Sequence, residues 1–482
     1  MSLRKQMAYG ALWSLVEKIG QQGLSFFIFM YLARVVGPEE FGLVTMCYIY
    51  TSFVYMIIFG FVDGIVSLRI RDDVALSSLF WGIMCIGCLL GGFGIFLAGP
   101  YAAMIGDNRI ALLFCWNSIV PLLLAFSAVP TMLVMASLNF RIYSIRTLVS
   151  TLSGGIVGIT MAYHDFGAYA LIGQQISHNI IMNLIIWPNC GWKPILVFDR
   201  AMFLNVLAPG IKMVGSSLVR FFDQQAPRLL IGFFLGPVSV GYFAFAVKFR
   251  QVLYDVLVHP MAVVVYPVFS KINENQKEQL ELLHQIIVIA GSFVFPAIAG
   301  IIVMSDLFVP LFFGKDWVPA ISVLQILLVS GSTLPFLILL RDVMRAHNKM
   351  ADYLRVQVWL VIFTIGSTLV VAPYGLIALS YVLVVISLVS LPIFIYSIKK
   401  STKLSLWRSF YRLWAPAFSS CVMVLFIIMF RLSFFYPNSL LISLFVEVLL
   451  GTIIYMLVAL ITQPKEIRIM AKLASKLLTN IK

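Results

Sequence analysis

Charged residues are scarce in this sequence. Only 11% of its 482 residues are Asp, Glu, Lys or Arg, whereas 61% are apolar. A soluble domain covers its surface with roughly 25–35% charged side chains, so this composition excludes an ordinary soluble protein. Stretches of about 20 mostly apolar residues, long enough to cross a bilayer, recur along nearly the whole chain instead. The sequence therefore predicts an all-α integral membrane protein.

The sequence also has little of what enzymes and metal sites use. It contains five histidines, and its six cysteines are scattered at positions 47, 85, 88, 115, 190 and 421. Cys85 and Cys88 are spaced as a Cys-x-x-Cys pair, but both lie in an apolar segment and are better explained as packing residues. Hydrolase triads, zinc, Walker and dinucleotide motifs are absent from the sequence. We expect no cofactor, no metal and no enzymatic activity.

Apolar segments predict about fourteen transmembrane helices. The first seven cover residues 11–33, 41–66, 76–99, 110–136, 142–163, 166–187 and 208–235. The other seven cover 238–269, 282–304, 317–340, 353–372, 374–398, 413–430 and 440–462. Prolines interrupt several of these spans and are compatible with bending, among them Pro121, Pro130, Pro260, Pro267, Pro296, Pro335 and Pro392.

A short motif occurs twice at matching places in this pattern. Gly37-Pro38-Glu39-Glu40-Phe41-Gly42 joins the first two spans, and Gly236-Pro237-Val238-Ser239-Val240-Gly241 joins the seventh and eighth, 199 positions later. We therefore predict two homologous, pseudo-symmetric halves, residues 1–187 and 208–398, joined by a cytoplasmic loop at 188–207. Residues 399–464 hold two extra helices. In transporters such repeats enclose a substrate pathway.

The basic residues indicate how the chain is oriented. Under the positive-inside rule they collect in cytoplasmic loops, and only Arg34, Arg109, Lys315 and Arg431 are assigned to the opposite side, while Arg146 counts among the cytoplasmic charges. Both termini are thus expected in the cytoplasm. The net charge of +14 is spread over these loops rather than gathered in one stripe, which argues against nucleic-acid binding. Residues 465–482 read as a basic amphipathic tail on the membrane surface.

Polar residues inside the spans are the candidates for function. In the seventh span Ser216, Arg220 and Gln224 advance by 40° each, and Lys212, Ser217, Asp223, Gln225 and Arg228 add further polar groups. In the eighth, Lys248, Gln251, Asp255 and His259 share about 80° of arc, whereas Arg250 is rotated by about 160° from Lys248 and faces elsewhere. The first span repeats the design with Ser14, Glu17, Lys18, Gln21, Gln22 and Ser25.

Two interpretations of these charges are open. Asp223 with Arg220 or Arg228, and Asp255 with Lys248, could be ion pairs that hold the helices together. Alternatively, buried charges mark a transport pathway, the more frequent meaning of ionisable residues in membranes. Glu447, which lies among apolar residues of the last span, either pairs with a neighbouring helix, titrates in ion coupling or faces a groove.

Several segments resemble a known family. These are Leu12-Trp13-Ser14, Leu32-Ala33-Arg34, the first turn motif with Leu43, residues 266–271 (YPVFSK) and residues 308–317 (FVPLFFGKDW). They are similar to Wzx-type bacterial polysaccharide exporters, especially the colanic-acid-exporter-like branch of the multidrug/oligosaccharidyl-lipid/polysaccharide (MOP) superfamily. The resemblance implies two six-helix bundles about a central cavity in the bacterial inner membrane. It also implies transfer of an undecaprenyl-pyrophosphate-linked oligosaccharide to the outer leaflet.

The sequence hypothesis is therefore a flippase that works by alternating access through a cationic cavity. The residues expected to bind substrate are Lys18, Gln21, Gln22, Lys212, Arg220, Gln224, Arg228, Lys248 and Gln251, and those expected in ion coupling are Asp223, Asp255, His259 and Glu447. The expected partners are the lipid-linked oligosaccharide, membrane lipids, and polymerase and export machinery. The alternatives are a drug/cation antiporter of the same superfamily, a membrane-embedded polysaccharide polymerase or glycosyltransferase, and an assembly scaffold without transport.

Overall fold

The protein is described by a computed structural model that covers residues 3–66, 72–137, 139–258, 276–402, 404–433 and 439–464. Within these ranges the regular structure is helical, as the sequence predicts. The first eight helices are α1 Leu3–Val36, α2 Pro38–Val66, α3 Asp73–Ile105, α4 Arg109–Asn117, α5 Val120–Ala136, α6 Phe140–Tyr163, α7 Ala168–Asn189 and α8 Arg200–Leu253. A π-helical turn, Tyr254–Val258, extends α8.

The remaining helices follow the same design. They are α9 Gln276–Phe312, α10 Ala320–Gly331, α11 Leu334–Ala346, α12 Met350–Val371, α13 Leu376–Thr402, α14 Trp407–Tyr411, α15 Trp414–Arg431 and α16 Leu440–Thr462, with 3-10 turns at Lys315–Trp317 and Ala372–Tyr374. Hydrocarbon offers no hydrogen bonds to an open backbone, and this is why apolar segments of this length fold as helices. The predicted amphipathic tail at 465–482 lies outside the described residues.

Twelve segments of the described chain are long and apolar enough to cross a membrane. They account for the fourteen predicted spans with two differences. Predicted spans seven and eight form one continuous segment, Ser217–Val258, in which Gly236 alone departs from helical geometry, with φ 76°. The sixth predicted span corresponds to α7, which is of spanning length but carries many polar residues, among them Gln174, Gln175 and Asn179. The predicted all-α membrane fold is thereby confirmed.

The chain forms two compact units, residues 1–244 and 245–482. In the first unit, α6 and α7 pack closely because glycines replace side chains at their contact. A Cβ atom at Gly154 would lie 2.7 Å from the carbonyl oxygen of Gln174 and 3.0 Å from the Cβ of His178. Gly158 meets the same stretch of α7. The division into bundles at 1–187 and 208–398 stays a prediction.

The second unit is built around an apolar cluster shared by α9, α11 and α13. Leu283, Phe336, Leu340, Val343 and Phe394 are almost fully buried in it. A smaller cluster, including Met304, Met423 and Tyr455, joins α9 to α15 and α16. The two extra helices therefore pack directly on α9.

Two predicted spans are broken at matching places. The fourth span divides between α4 and α5 at Ser118-Ile119-Val120-Pro121, and the tenth divides between α10 and α11 at Ser332-Thr333-Leu334-Pro335. Each proline lacks an N–H group and clashes with the carbonyl four residues earlier, which disfavours an uninterrupted helix. The Ser-x-x-Pro pattern is thus a second internal repeat, one that our reading of the sequence missed.

The α6–α7 contact leads to a stability prediction. Gly154→Ala places a methyl group against backbone atoms of α7, and overpacking of this kind costs about 1–3 kcal/mol. We expect a lower melting temperature for the purified protein in detergent. Gly92→Ala is the matched control, because space around Gly92 is open and alanine favours a helix by roughly 0.5–1 kcal/mol. Equal melting temperatures for the two variants would contradict the prediction.

Candidate functional site

The first arm of α8, residues 200–235 before the bend at Gly236, carries four of the nine predicted substrate-binding residues and packs on α2 in the first unit. Phe221 meets Phe53 edge to face, with ring centroids 5.4 Å apart. Nearer the start of the arm, Gly210 lies against Phe61. These contacts define the side of the arm that faces α2 and fix the direction in which its polar residues point.

The polar face of this arm becomes more buried toward its end. Arg220 and Gln224 are exposed, and the Nη2 of Arg220 donates to the Ser217 hydroxyl at 3.0 Å. Arg228 is half-buried and lies only about 20° from Phe221 around the helix. Its Nη1 donates to Oε1 of the buried Gln225 at 2.9 Å. The guanidinium of Arg228 is therefore held in one direction by a neighbour one turn away.

The second arm of α8, residues 237–253 after the bend at Gly236, carries the predicted binding residues of the second unit. Lys248 is half-buried, Gln251 is exposed, and the amide of Gln251 donates to Oδ2 of Asp255 at 3.1 Å. Asp255 lies in the π-helical turn, a distortion that often accompanies functional sites. His259, predicted for ion coupling, lies outside the described residues.

The other predicted substrate-binding residues lie in the first unit. Lys18, Gln21 and Gln22 are half-buried on α1. Lys212 is on the first arm of α8, but its side chain and that of Ser216 lie outside the described part. Asp223 is half-buried on the same arm. The structure therefore places partly buried polar groups on α1 and on both arms of α8, and their role in substrate binding and the shared cavity stay predictions.

Arg250 faces away from Lys248, as its rotation predicts. Its Nη1 donates to the hydroxyl of Ser330 at 3.1 Å, and its side chain lies on Gly331 at the end of α10. The corresponding break in the first unit is held by Asn117, whose side-chain amide donates to the hydroxyl of Thr51 at 2.6 Å. Thr51 and Arg250 both lie fourteen residues after the glycine that begins their turn motif. The repeat thus extends from the turns to the broken helices.

Arg146 is a buried arginine that the sequence analysis did not single out as a candidate. It was counted with the cytoplasmic loop charges, but it lies inside α6 and is only 4% exposed. Its Nη1 donates to Thr131 at 3.0 Å, and the guanidinium carbon lies 4.3 Å from the centre of the Tyr143 ring. Nearby, the Ser144 hydroxyl lies 3.0 Å from the carbonyl oxygen of Trp13 and 3.4 Å from the Glu17 carboxylate. The position of Arg146, four residues into the predicted fifth span, was the sequence feature that could have indicated its burial.

Glu447 is engaged by an arginine from the neighbouring helix. It is fully buried, and Arg431 at the end of α15 donates to its two carboxylate oxygens from Nε at 2.6 Å and from Nη2 at 2.8 Å. Arg431 also donates from Nη1 to Asp306 of α9 at 2.7 Å and from Nη2 to the carbonyl oxygen of Val303 at 2.8 Å. Of the three interpretations of Glu447, this geometry favours pairing with a neighbouring helix.

The buried face of α16 continues from Glu447 along the whole helix. Ser443, Gly451, Tyr455 and Ala459 are buried at intervals of four residues, and buried Gln463 follows the end of the helix at the same spacing. The Tyr455 hydroxyl donates to the carbonyl oxygen of Ser292 at 2.7 Å, and Oε1 of Gln463 accepts from the Ser292 hydroxyl at 2.8 Å. Polar contacts along its length therefore fix α16 to α9.

Together these features define a polytopic helical membrane protein with the fold of MOP-superfamily transporters. The structure titled "Lipid II flippase MurJ, inward closed conformation" matches with a TM-score of 0.76 over 94% of this chain and 98% of that chain, at 14% sequence identity. An inward-facing multidrug resistance MATE family transporter matches with a TM-score of 0.58 over 80% of this chain and 95% of that chain, at 15% identity. At these identities the likeness concerns the fold.

The sequence comparison is more specific. The model of the family described as "Polysaccharide biosynthesis protein" matches residues 31–322, and the chain belongs to that family. The predicted resemblance to polysaccharide exporters is thereby confirmed.

Individual relatives agree with this assignment. The chain is 25% identical over 325 residues to the succinoglycan biosynthesis transport protein ExoT of Rhizobium meliloti, a match that covers 67% of this chain and 65% of that protein. It is also 25% identical over 349 residues to the lipopolysaccharide biosynthesis protein WzxC of Escherichia coli, covering 69% of this chain and 68% of that protein.

The cluster around Arg431 generates a second prediction. Arg431→Gln leaves the buried Glu447 without its cation, and breaking a buried pair from one side costs about 3–5 kcal/mol. We expect a large loss of thermal stability in detergent. The double variant Arg431→Gln/Glu447→Gln removes both charges and should recover much of it. Asp306→Asn is the matched control with a smaller loss, because the Asp306 side chain is 51% exposed. A double variant no more stable than Arg431→Gln would contradict the interpretation.

Proposed function

We propose that this protein is a flippase that moves a polyprenyl-pyrophosphate-linked oligosaccharide from the cytoplasmic to the outer leaflet of the bacterial inner membrane. Both termini lie in the cytoplasm in this proposal. The family membership is the observation that carries it, because the relatives are named for transport or biosynthesis of bacterial surface polysaccharides. The MurJ-like fold over nearly the whole chain adds a scaffold that suits such a lipid substrate.

The physical task explains why basic and amide groups belong on the spans. A pyrophosphate and several sugars are strongly hydrated, and moving charges into hydrocarbon without compensation is very costly. The prenyl tail, in contrast, remains in lipid throughout. A protein therefore accelerates the transfer by replacing the water around the headgroup with its own donors while leaving the tail outside.

Arg228 is the proposed centre of pyrophosphate binding. Its guanidinium is directed by Gln225 and partly removed from water, which strengthens its attraction to an anion. Arg220 lies nearer the cytoplasmic side in the predicted topology, with Lys18 or Lys212 at the entrance, and Lys248 contributes from the second arm of α8. Gln21, Gln22, Gln224 and Gln251 supply donors and acceptors suited to sugar hydroxyls.

Ion coupling is assigned to a smaller set than the sequence suggested. Because Glu447 is held by Arg431, we assign it to the attachment of α16. Asp255 remains a candidate, since it lies in the π-helical turn and accepts from Gln251, one of the proposed sugar-binding residues. Asp223 and His259 remain with it.

Charge-neutral substitutions test the proposed binding site. Arg228→Gln or Lys248→Gln removes a charge-assisted hydrogen bond worth about 1.5–3 kcal/mol, so we expect a roughly 10- to 100-fold slower transfer. The measurement is leaflet-to-leaflet movement of a labelled polyprenyl-pyrophosphate sugar in liposomes. Arg355→Gln is the matched control, because Arg355 is exposed, is paired with Asp352 and is not among the proposed binding residues.

The same liposome assay separates the competing functions. Movement of the labelled lipid without chemical change supports a flippase, whereas formation of a new sugar bond supports a polymerase or glycosyltransferase. Absence of both activities, together with exchange of a cationic drug for protons, would favour the antiporter. Normal transfer by both Arg228→Gln and Lys248→Gln would refute the assignment of the pyrophosphate site.

A further inference from the structure

The two turn motifs that the sequence repeats lie against each other in the first unit. A Cβ atom at Gly42 would overlap the carbonyl oxygen of Pro237, and a Cβ atom at Gly241 would overlap the carbonyl oxygen of Pro38. These two contacts are reciprocal, because Pro38 corresponds to Pro237 and Gly42 to Gly241 in the repeat. The two copies of the motif therefore bind each other as a pseudo-twofold pair of backbones.

The roles of the two glycines in each motif are different. Gly37 and Gly236 have φ values of 80° and 76°, a conformation that other residues avoid, and they form the turns. Gly42 and Gly241 lie inside helical segments, where glycine is unfavourable unless contact requires it. Their function is the close approach itself, which brings each Cα–H group onto a carbonyl oxygen, as in closely packed membrane helices.

The contact between the two motifs lies at the end of the helices where α1 meets α2 and where α8 bends, and it closes this end. One turn deeper, Met46 is 1% exposed and its Cε lies 2.6 Å from where a Cβ of Gly232 would be. Leu43 and Val240 are also buried next to the motifs. The backbone contact is thus backed by a layer of apolar side chains, which together leave no room for a hydrated headgroup at this point.

The two motifs are anchored differently. In the first, Glu39 accepts a hydrogen bond from Arg109, and the Glu40 carboxylate lies beside Gly167 at the start of α7. Arg109 also bonds Asp107, which holds the pKa of that carboxyl below its usual range. The second motif has uncharged Val238 and Ser239 at the corresponding positions. The first motif is therefore fixed to α4 and α7 by contacts that the second motif, with its uncharged side chains, does not reproduce.

We propose that the paired Gly42 and Gly241 contacts form the outer gate of the transport pathway. The gate is closed in this structure, and it must separate to deliver the headgroup to the outer leaflet. This inference rests on the proposed function for its direction and purpose. Weak Cα–H contacts suit a gate, because they are specific in geometry and yet can be broken and remade in every transport cycle.

Cysteine labelling tests the gate directly. In a variant whose six native cysteines are serine, Met46→Cys places a reporter behind the gate, and a membrane-impermeant maleimide is added to whole cells. Gly42→Ala or Gly241→Ala prevents the two motifs from approaching closely and should raise the labelling rate about tenfold. This value follows when the gate with unaltered motifs is open in on the order of 1–10% of the molecules. Gly92→Ala, in open space on α3, should leave the rate unchanged.

Two further measurements keep the test decisive. The double variant Gly42→Ala/Gly241→Ala should label little faster than either single variant, because both disrupt one contact. If the alanine variants fail to reach the membrane, spin labels at the exposed positions Val35→Cys and Phe234→Cys report on the unaltered motifs. In nanodiscs we expect two distances between these labels, and polyprenyl pyrophosphate should change their proportions.

The gate and the proposed function fail in different ways. Unchanged labelling of the reporter in the membrane-inserted alanine variants, or a single fixed spin-label distance under both conditions, overturns the gate. Labelling only from the cytoplasmic side, in inverted vesicles, overturns its outer location. Faster labelling of the alanine variants, combined with no lipid transfer by the unaltered protein in liposomes, keeps the gate and rejects the flippase.

Discussion

The constraint on which this structure depends is that hydrocarbon supplies no hydrogen bonds. Long helices satisfy it for the backbone, and hydroxyl side chains satisfy it by donating to the carbonyl four residues earlier, as Ser78, Thr151 and Ser420 do. Departures from this arrangement are therefore informative. They occur at the two Ser-x-x-Pro breaks, at the π-helical turn and at Gly236. At each of these places the helix is interrupted and nearby residues contact other helices.

The same constraint separates structural charges from the proposed functional ones. Arg431 meets two carboxylates and a carbonyl, so its charge is used locally to attach α15 and α16 to α9. Arg146 is similarly enclosed by a hydroxyl and an aromatic ring. Arg220 differs, because it is exposed and bonds a serine hydroxyl. A charge that remains accessible on a spanning helix is available for a ligand, and this distinction supports the choice of α8 as the proposed binding element.

The two copies of the repeat have the same residues where the turn and the close contact require glycine, and different residues where the copies differ in role. The turn glycines and their close contact are present in both copies. By contrast, Thr51 in the first copy corresponds to Arg250 in the second, and the two acidic residues of the first turn correspond to Val238 and Ser239. One copy is consequently held by ionic contacts and the other is not. Such asymmetry within a shared frame suits a protein in which one element moves against a fixed one.

Much of the fold could be predicted from the sequence, because membrane insertion depends on local properties. Span positions follow from hydropathy, and the rotation of Arg250 away from Lys248 followed from the helical period. Arg146 shows the limit of this reasoning. Its loop assignment rested on charge alone, whereas its burial depends on Thr131 and Tyr143, which packing brings to it. Glu447 was identified as unusual, but its partner could not be identified, since Arg431 belongs to a different helix.

The sequence by itself determined that the chain is a membrane protein of many helices, that two of its turns repeat, and which residues share a helical face. These properties are set by composition and by the backbone geometry of single helices. Only the tertiary structure decided that the two turns bind each other, that Arg431 joins three helices and that Gln225 directs Arg228. Contacts between helices depend on rotation and depth to within about one residue, and apolar sequence specifies neither because lipid-facing and buried positions use the same side chains.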